Sequence, residues 1–458
     1  MLHKALAYMR DHRPEFLNSL CDLLRIPSIS TLPEYRPAIE RAASWLVDYL
    51  QQVGMTRVEL IQTQSHPVVY GEWLDAEAGI PTLLAYGHYD VQPVDPLDEW
   101  LTPPFEPVLR EGDLFARGAS DDKGQLLTIL AAAEAYLKGS SRLPINLKVV
   151  IEGEEEVLGP SMDRTLRQYA DMLAADAVLI CDEALLDPQT PLIVYGVRGN
   201  VYLEVEVRGP ARDLHSGTFG GVVDNPFNVL VRLLAEVQDP ETRRMRIPGF
   251  YDQVRPLQDE ERALLARVPI GEEAARHLTG APALAGEEGY TVLERASARP
   301  TFDIHGMPGG FVGPGHKTVI PARASAKLSM RLVPDQEPEE IAERFEAYLR
   351  SLLPSTVQLE VRRLGAARPA VVDYHAPAVQ AMAQALKKGF GAFPFYIRGG
   401  GSLPIVRSFQ EVLGVPVILI GFGLPDDNTH APNEKYHLPN FYRGIEALIH
   451  YFSILGTG

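Results

Sequence analysis

The chain is poor in the features that mark several classes of protein. It carries only two cysteines, Cys21 and Cys181, among 458 residues. That excludes a disulfide-built secreted scaffold and any zinc site made of paired cysteines. Both cysteines fall in apolar patterns, which predicts buried free thiols in a reducing compartment. No apolar run approaches the roughly 20 residues that span a bilayer. The N-terminal MLHKALAYMRDHRPEF reads as an amphipathic helix and lacks the apolar stretch of a signal peptide. These absences predict a soluble, cytoplasmic protein with no membrane partner. Excess basic charge is missing too. The net charge is −17, which argues against a nucleic-acid partner. Repeats of fixed period and low-complexity tracts are also lacking.

What is present is patterning. PTLLAYG (81–87), INLKVVIEG (145–153), DAVLICD (176–182) and VPVILIGFG (415–423) are short apolar runs that read as buried strands. DKGQLLTILAAAEAYLKG (122–139) reads as an alanine- and leucine-rich helix closed by glycine. This rhythm predicts an α/β domain with a mostly parallel sheet and helices on both faces. VYLEVEVRG (201–209) and ASAKLSMRLVP (324–334) alternate apolar and polar residues instead. With a helix over 337–353 and a strand at 356–364, they predict an inserted α+β domain whose strands have one wet face. The boundaries follow: 1–200 and 368–458 form the first domain, and 201–367 the insertion. The stretch from 239 to 300, rich in charge, proline and glycine, gives no clear element.

Polar residues gather where the strands end. GHYDVQP carries His88 and Asp90; ARGASDDKG carries Asp121 and Asp122; EGEEE carries Glu154, Glu155 and Glu156; CDE carries Asp182 and Glu183; GFGLPDDNTHAPNE carries His430. Taken one at a time, each has an ordinary reading as a loop histidine, a helix cap or a solvated face. Taken together they converge, because sites in open α/β sheets form beyond the carboxyl ends of the strands. Several carboxylates in one crevice repel one another unless a cation neutralises them. Two histidines with several Asp and Glu, and no cysteine, suit zinc, manganese or cobalt.

GHYDVQP, ARGASDDKG, EGEEE, the CDE strand end, YGVRGN, DLHSGTFGG, KTVIP, GGGSLPI and THAPNEK occur in that order from about residue 80 to 440. In this the chain resembles the dinuclear metallopeptidases of the carnosinase, cytosolic nonspecific dipeptidase, aminoacylase and acetylornithine deacetylase family. DLHSGTFGG and KTVIP place it nearest the dipeptidase branch. The resemblance implies two divalent ions per subunit, zinc first, with manganese or cobalt as alternatives. His88 and Asp182 would hold one ion, Glu156 and His430 the other, and Asp121 would bridge both. Asp90 would orient the His88 ring. Glu155 would be the general base that activates a water shared by the two ions, which leaves Glu154 spare and solvated. The Asp121–Asp122 peptide would be cis.

The resemblance further implies that His215, Thr318, Arg331 and Ser402 bind substrate. His215 would be supplied across the interface of a homodimer, and the insertion would serve as lid and dimerisation domain. Arg331 would take the substrate carboxylate. Arg323, on the same face of the same strand, stands as its rival. RGGGS has Gly399 where the family often carries an acidic residue. The implied activity is exopeptidase cleavage of dipeptides or of a C-terminal amino acid. N-acyl amino acid deacylation and a non-catalytic peptide-binding scaffold remain as alternatives.

Overall fold

A computed structural model describes residues 1–157 and 159–457. The chain divides into two compact units. The first comprises Met1–Tyr195, Val372–Ile397 and Ser408–Gly458; the second comprises Gly196–Val371 and Arg398–Arg407.

In the first unit the central strands follow the order Arg57–Ile61, Val68–Trp73, Asn146–Glu152, Thr82–His88, Ala177–Cys181, Val417–Ile420 and the start of Leu192–Val197. Thr82–His88 pairs in parallel with Asn146–Glu152 and Ala177–Cys181, which in turn pairs in parallel with Val417–Ile420. The flanking pairs are antiparallel. The sheet is therefore parallel at its centre, as the apolar runs predict, with antiparallel margins. Ala177–Cys181 and Val417–Ile420 are buried throughout, the signature of strands covered on both faces.

The predicted helix spans Lys123–Ser140 and is buried from Lys123 to Tyr136 apart from Glu134. It packs against the helices Leu2–Asp11 and Leu438–Leu455, which explains why its apolar residues run all round rather than in one stripe. The glycine expected to close it does something else. Ser141, with φ 62, is the left-handed cap. At Gly139 a Cβ would lie 2.9 Å from the Lys4 carbonyl oxygen, so this glycine lets the N-terminal helix approach. Cys181 is buried as expected, whereas Cys21 is only half-buried.

The second unit holds a four-stranded antiparallel sheet in the order Thr301–Gly306, Arg323–Leu332, Gly199–Arg208, Gln358–Ala367. Alternate residues Val201, Leu203, Val205 and Val207 face inward with Ala326, Leu328 and Met330. Leu230 and Leu233 from helix Pro226–Ala235, and Phe345 and Leu349 from Pro338–Leu352, complete that core. The stretch from 239 to 300 contains the short helices Asp259–Leu265, Glu272–Thr279 and Val292–Ser297. Polar contacts hold it: buried Glu287 takes both forks of Arg299, at 2.7 and 2.8 Å. Helices this short carry too little periodicity to read from sequence. Among the described residues, no helix is long and apolar enough to cross a membrane.

Candidate metal centre

The parallel pairing sets the carboxyl ends of four strands along one margin of the first unit's sheet, and the polar clusters sit there. His88 is the last residue of Thr82–His88 and is fully buried. Its Nε2 lies 3.1 Å from Asp121 Oδ1 and 3.8 Å from Asp182 Oδ2. His430 Nε2 lies 2.9 Å from Asp121 Oδ2 and 3.2 Å from Glu156 Oε2. The two oxygens of Asp121 thus face two different imidazoles. His88, Asp121 and Asp182 form one set of converging ligand atoms, and Asp121, Glu156 and His430 form another. Within each set the atoms lie within 4.8 Å of one another. The Asp121–Asp122 peptide bond is cis.

These residues fit a pair of divalent cations. The His88 Nδ1 lies 3.2 Å from the Asp90 carbonyl oxygen; a carbonyl only accepts, so Nδ1 carries a proton and Nε2 is the atom left to ligate. That Nε2 is buried and hydrogen-bonded to nothing among the described residues, despite the carboxylate oxygens around it. A buried imidazole nitrogen among carboxylate oxygens either holds a second proton or gives its lone pair to a cation, and the latter also neutralises the surrounding acids. The electrostatics agree. Burial, reinforced by Asp122 and Asp121, holds the Asp182 carboxyl well above its usual range. Burial also resists ionisation of Asp121, but the His430 and His88 rings win and pull it down. Burial and the charges of Glu156, Asp121 and Asp90 push Glu155 up to about 7, against the pull of His88. Asp121 and Glu156 raise His430 to about 10.

Around this cluster the structure shows partners that sequence reasoning missed. Asp90 does lie beside the His88 ring, with Oδ1 3.3 Å from Nδ1. Its carboxylate also accepts the backbone N–H groups of Glu155 and Glu156, at 3.3 and 3.2 Å, which ties the histidine strand to the glutamate turn. Gln92 donates to Glu156 Oε2 at 2.7 Å. Glu154 is not solvated. It is 2 % exposed and accepts the N–H groups of His66 and Ser161, each at 3.2 Å. The first glutamate of the run is an anchor for the turn that presents the other two. His430 has φ 61, in the left-handed region, and is flanked by Asn428 and Asn433 in similar conformations.

The remaining candidates belong to the second unit. His215 and Thr318 are exposed and lie close together, because Leu214–His215 pairs with Val319–Ile320 and the Thr318 carbonyl accepts the Ser216 N–H at 3.1 Å. The His215 Nδ1 accepts the Gly217 N–H at 2.9 Å, so the ring offers Nε2–H outward as a donor. Arg331 donates to Ser402 Oγ at 2.8 Å, which joins two sequence candidates directly. Its rival Arg323 stands at the opposite end of the same strand, opposite Arg208. Eight strand residues put about 26 Å between them, at roughly 3.3 Å per residue.

Comparison with known proteins identifies the family. The family model for Peptidase family M20/M25/M40 matches residues 84–453. The Cys-Gly metallodipeptidase DUG1 of Candida albicans is 33% identical over 462 residues, covering 96% of this chain and 95% of that protein. The Beta-Ala-His dipeptidase of Homo sapiens is 32% identical over 469 residues, covering 99% of this chain and 92% of that protein. Among solved structures, the M20 family metallo-carboxypeptidase Sso-CP2 from Sulfolobus solfataricus superposes with a TM-score of 0.87 at 33% identity, covering 97% of this chain and 100% of that one. The match spans every strand end that contributes to the two converging ligand sets, and on that ground the chain belongs to peptidase family M20/M25/M40.

Proposed function

We propose that this chain is a metal-dependent exopeptidase that hydrolyses dipeptides or removes a C-terminal amino acid. The observation that carries the reading is Asp121, whose two oxygens face two separate ligand sets. In this reading His88 and Asp182 hold one ion, Glu156 and His430 hold the other, and Asp121 is shared. Zinc suits these ligands first, and manganese or cobalt also suit them. When bound, such ions polarise the scissile carbonyl and lower the pKa of water toward about 7.

The chain's own groups do the rest. Glu155 takes the proton of the attacking water and returns it to the leaving amine. His215, whose Nδ1 accepts the Gly217 N–H, uses its Nε2–H to stabilise the developing oxyanion. Arg331, with Ser402, binds the substrate's free carboxylate, for which a guanidinium fork is suited, and Thr318 contacts the substrate from beside His215. His215 comes from the second subunit of a homodimer, and the second unit is the lid and dimerisation domain. The two free thiols fit a cytoplasmic location.

The test is a panel of unmodified dipeptides and matched N-acetyl and N-succinyl amino acids, assayed before chelation, after it and after metal return. We expect hydrolysis of dipeptides, its loss on chelation and its recovery with zinc, manganese or cobalt. Strict preference for the acylated series would establish a deacylase instead. No hydrolysis of either series by metal-loaded protein would leave a peptide-binding scaffold.

The arginine assignment is separately testable. Arg331→Ala is expected to lower kcat/KM for a dipeptide roughly 10- to 100-fold, the value of a charge-assisted hydrogen bond to a carboxylate. Arg323→Ala is expected to stay within about twofold, as exposed sites usually do. Steady-state kinetics on the two variants decides, and the reverse order would move the carboxylate site to Arg323.

A further inference from the structure

We propose that Glu434 is the positioning residue that sets the spacing of the Asp121 loop and the His430 loop. The inference rests on the reading that these two residues hold cations. Glu434 lies four residues after His430 and is fully buried. Its Oε2 accepts Arg117 Nη1 and the Gly118 N–H, both at 2.8 Å. Its Oε1 accepts the N–H groups of Ser120 and Asp121, at 3.0 and 3.1 Å. One carboxylate from the histidine loop therefore organises the stretch from Arg117 to Asp121, and it holds the backbone of the shared ligand itself.

A second carboxylate works from the other side of His430. Asp427 Oδ2 accepts Ser120 Oγ at 2.7 Å and the Leu424 N–H at 2.7 Å. His430 is thus bracketed by two acidic residues that both grip Ser120, the neighbour of Asp121. Between them the loop passes through left-handed backbone at Asn428, His430 and Asn433, a path that local preference does not favour and that outside contacts must impose. A shared carboxylate needs placement to within about 0.5 Å to serve two ions at once. Glu434 and Asp427 supply that constraint through the backbone, without touching a ligand atom.

A buried Arg117–Glu434 pair that only stabilised the loop would lower the melting temperature and leave cation affinity alone. The positioning role predicts a loss of affinity in folded protein. The experiment uses the full chain with Glu434→Gln, which keeps shape but turns an amide N–H2 toward donors. Cobalt(II) binding is followed by calorimetry and by the visible spectrum of the bound ion, with melting curves recorded on metal-free protein. We expect cobalt to bind 10- to 100-fold more weakly at one position or both, the range typical for partners that orient ligands, with an altered spectrum. A folded variant with wild-type affinity and spectrum overturns the proposal. If Glu434→Gln does not fold, Glu434→Asp keeps the charge but withdraws the carboxylate by one methylene from the four donors, and is expected to weaken cobalt several-fold; unchanged affinity there overturns it equally. Wild-type protein that takes up no cobalt overturns the metal centre itself, and this proposal with it.

Discussion

Asp121→Asn is expected to cost hydrolysis on the order of 10³-fold or more and to strip the protein of at least one ion on dialysis. The reason is geometric. Asp121 Oδ1 faces the His88 side and Oδ2 faces the His430 side. An amide offers one acceptor oxygen, so one of the two positions meets an N–H2 donor and loses a negative charge. The ions supply several kcal/mol of transition-state stabilisation, and that is what disappears. Metal analysis of dialysed protein, set beside kcat/KM, checks the prediction. A variant that retains two tightly held ions and ordinary turnover would show that Asp121 is not the shared ligand.

The second large effect separates three neighbours. Glu155→Gln is expected to lower kcat by about 10²- to 10⁴-fold, the usual contribution of a general base, while both ions stay bound. Glu156→Gln should lower metal content instead, since its carboxylate lies 3.2 Å from His430 Nε2. Glu154→Gln should act mainly on stability, because its carboxylate is spent on the amides of His66 and Ser161. Metal content, kcat and melting temperature measured across the three variants give three distinct signatures. If Glu154→Gln, rather than Glu155→Gln, abolished turnover with both ions retained, the assignment would be off by one residue.

These outcomes bear on what a sequence can disclose. The parallel strands were legible because burial on both faces leaves unbroken apolar runs; the crowd of polar candidates followed because such strands end at a common margin, and the family resemblance chose the ligands among them. The structure brings His88, Asp121, Glu156, Asp182 and His430 together there. Less legible were residues whose partners are backbone amides. From the chain, Asp90 is expected only at the His88 ring and Glu154 only in solvent, and nothing in their spacing reveals which backbone N–H groups they take. Gly139 misled for a related reason: a glycine near a helix end usually caps it, whereas here a helix from elsewhere in the chain needed the space. The stretch from 239 to 300 was opaque because buried ion pairs such as Glu287–Arg299, rather than apolar periodicity, organise it.

The left-handed backbone at His430 also bears on how that residue should be probed. Alanine there would confound two losses, the imidazole and a conformation that alanine adopts poorly. Asparagine or aspartate visit that conformation more readily than most residues, so they isolate the chemistry of the ring from the shape of the chain. Aspartate adds a possible rescue: it can still offer an oxygen to an ion, at shorter reach, and a hard cation such as manganese should tolerate that exchange better than zinc.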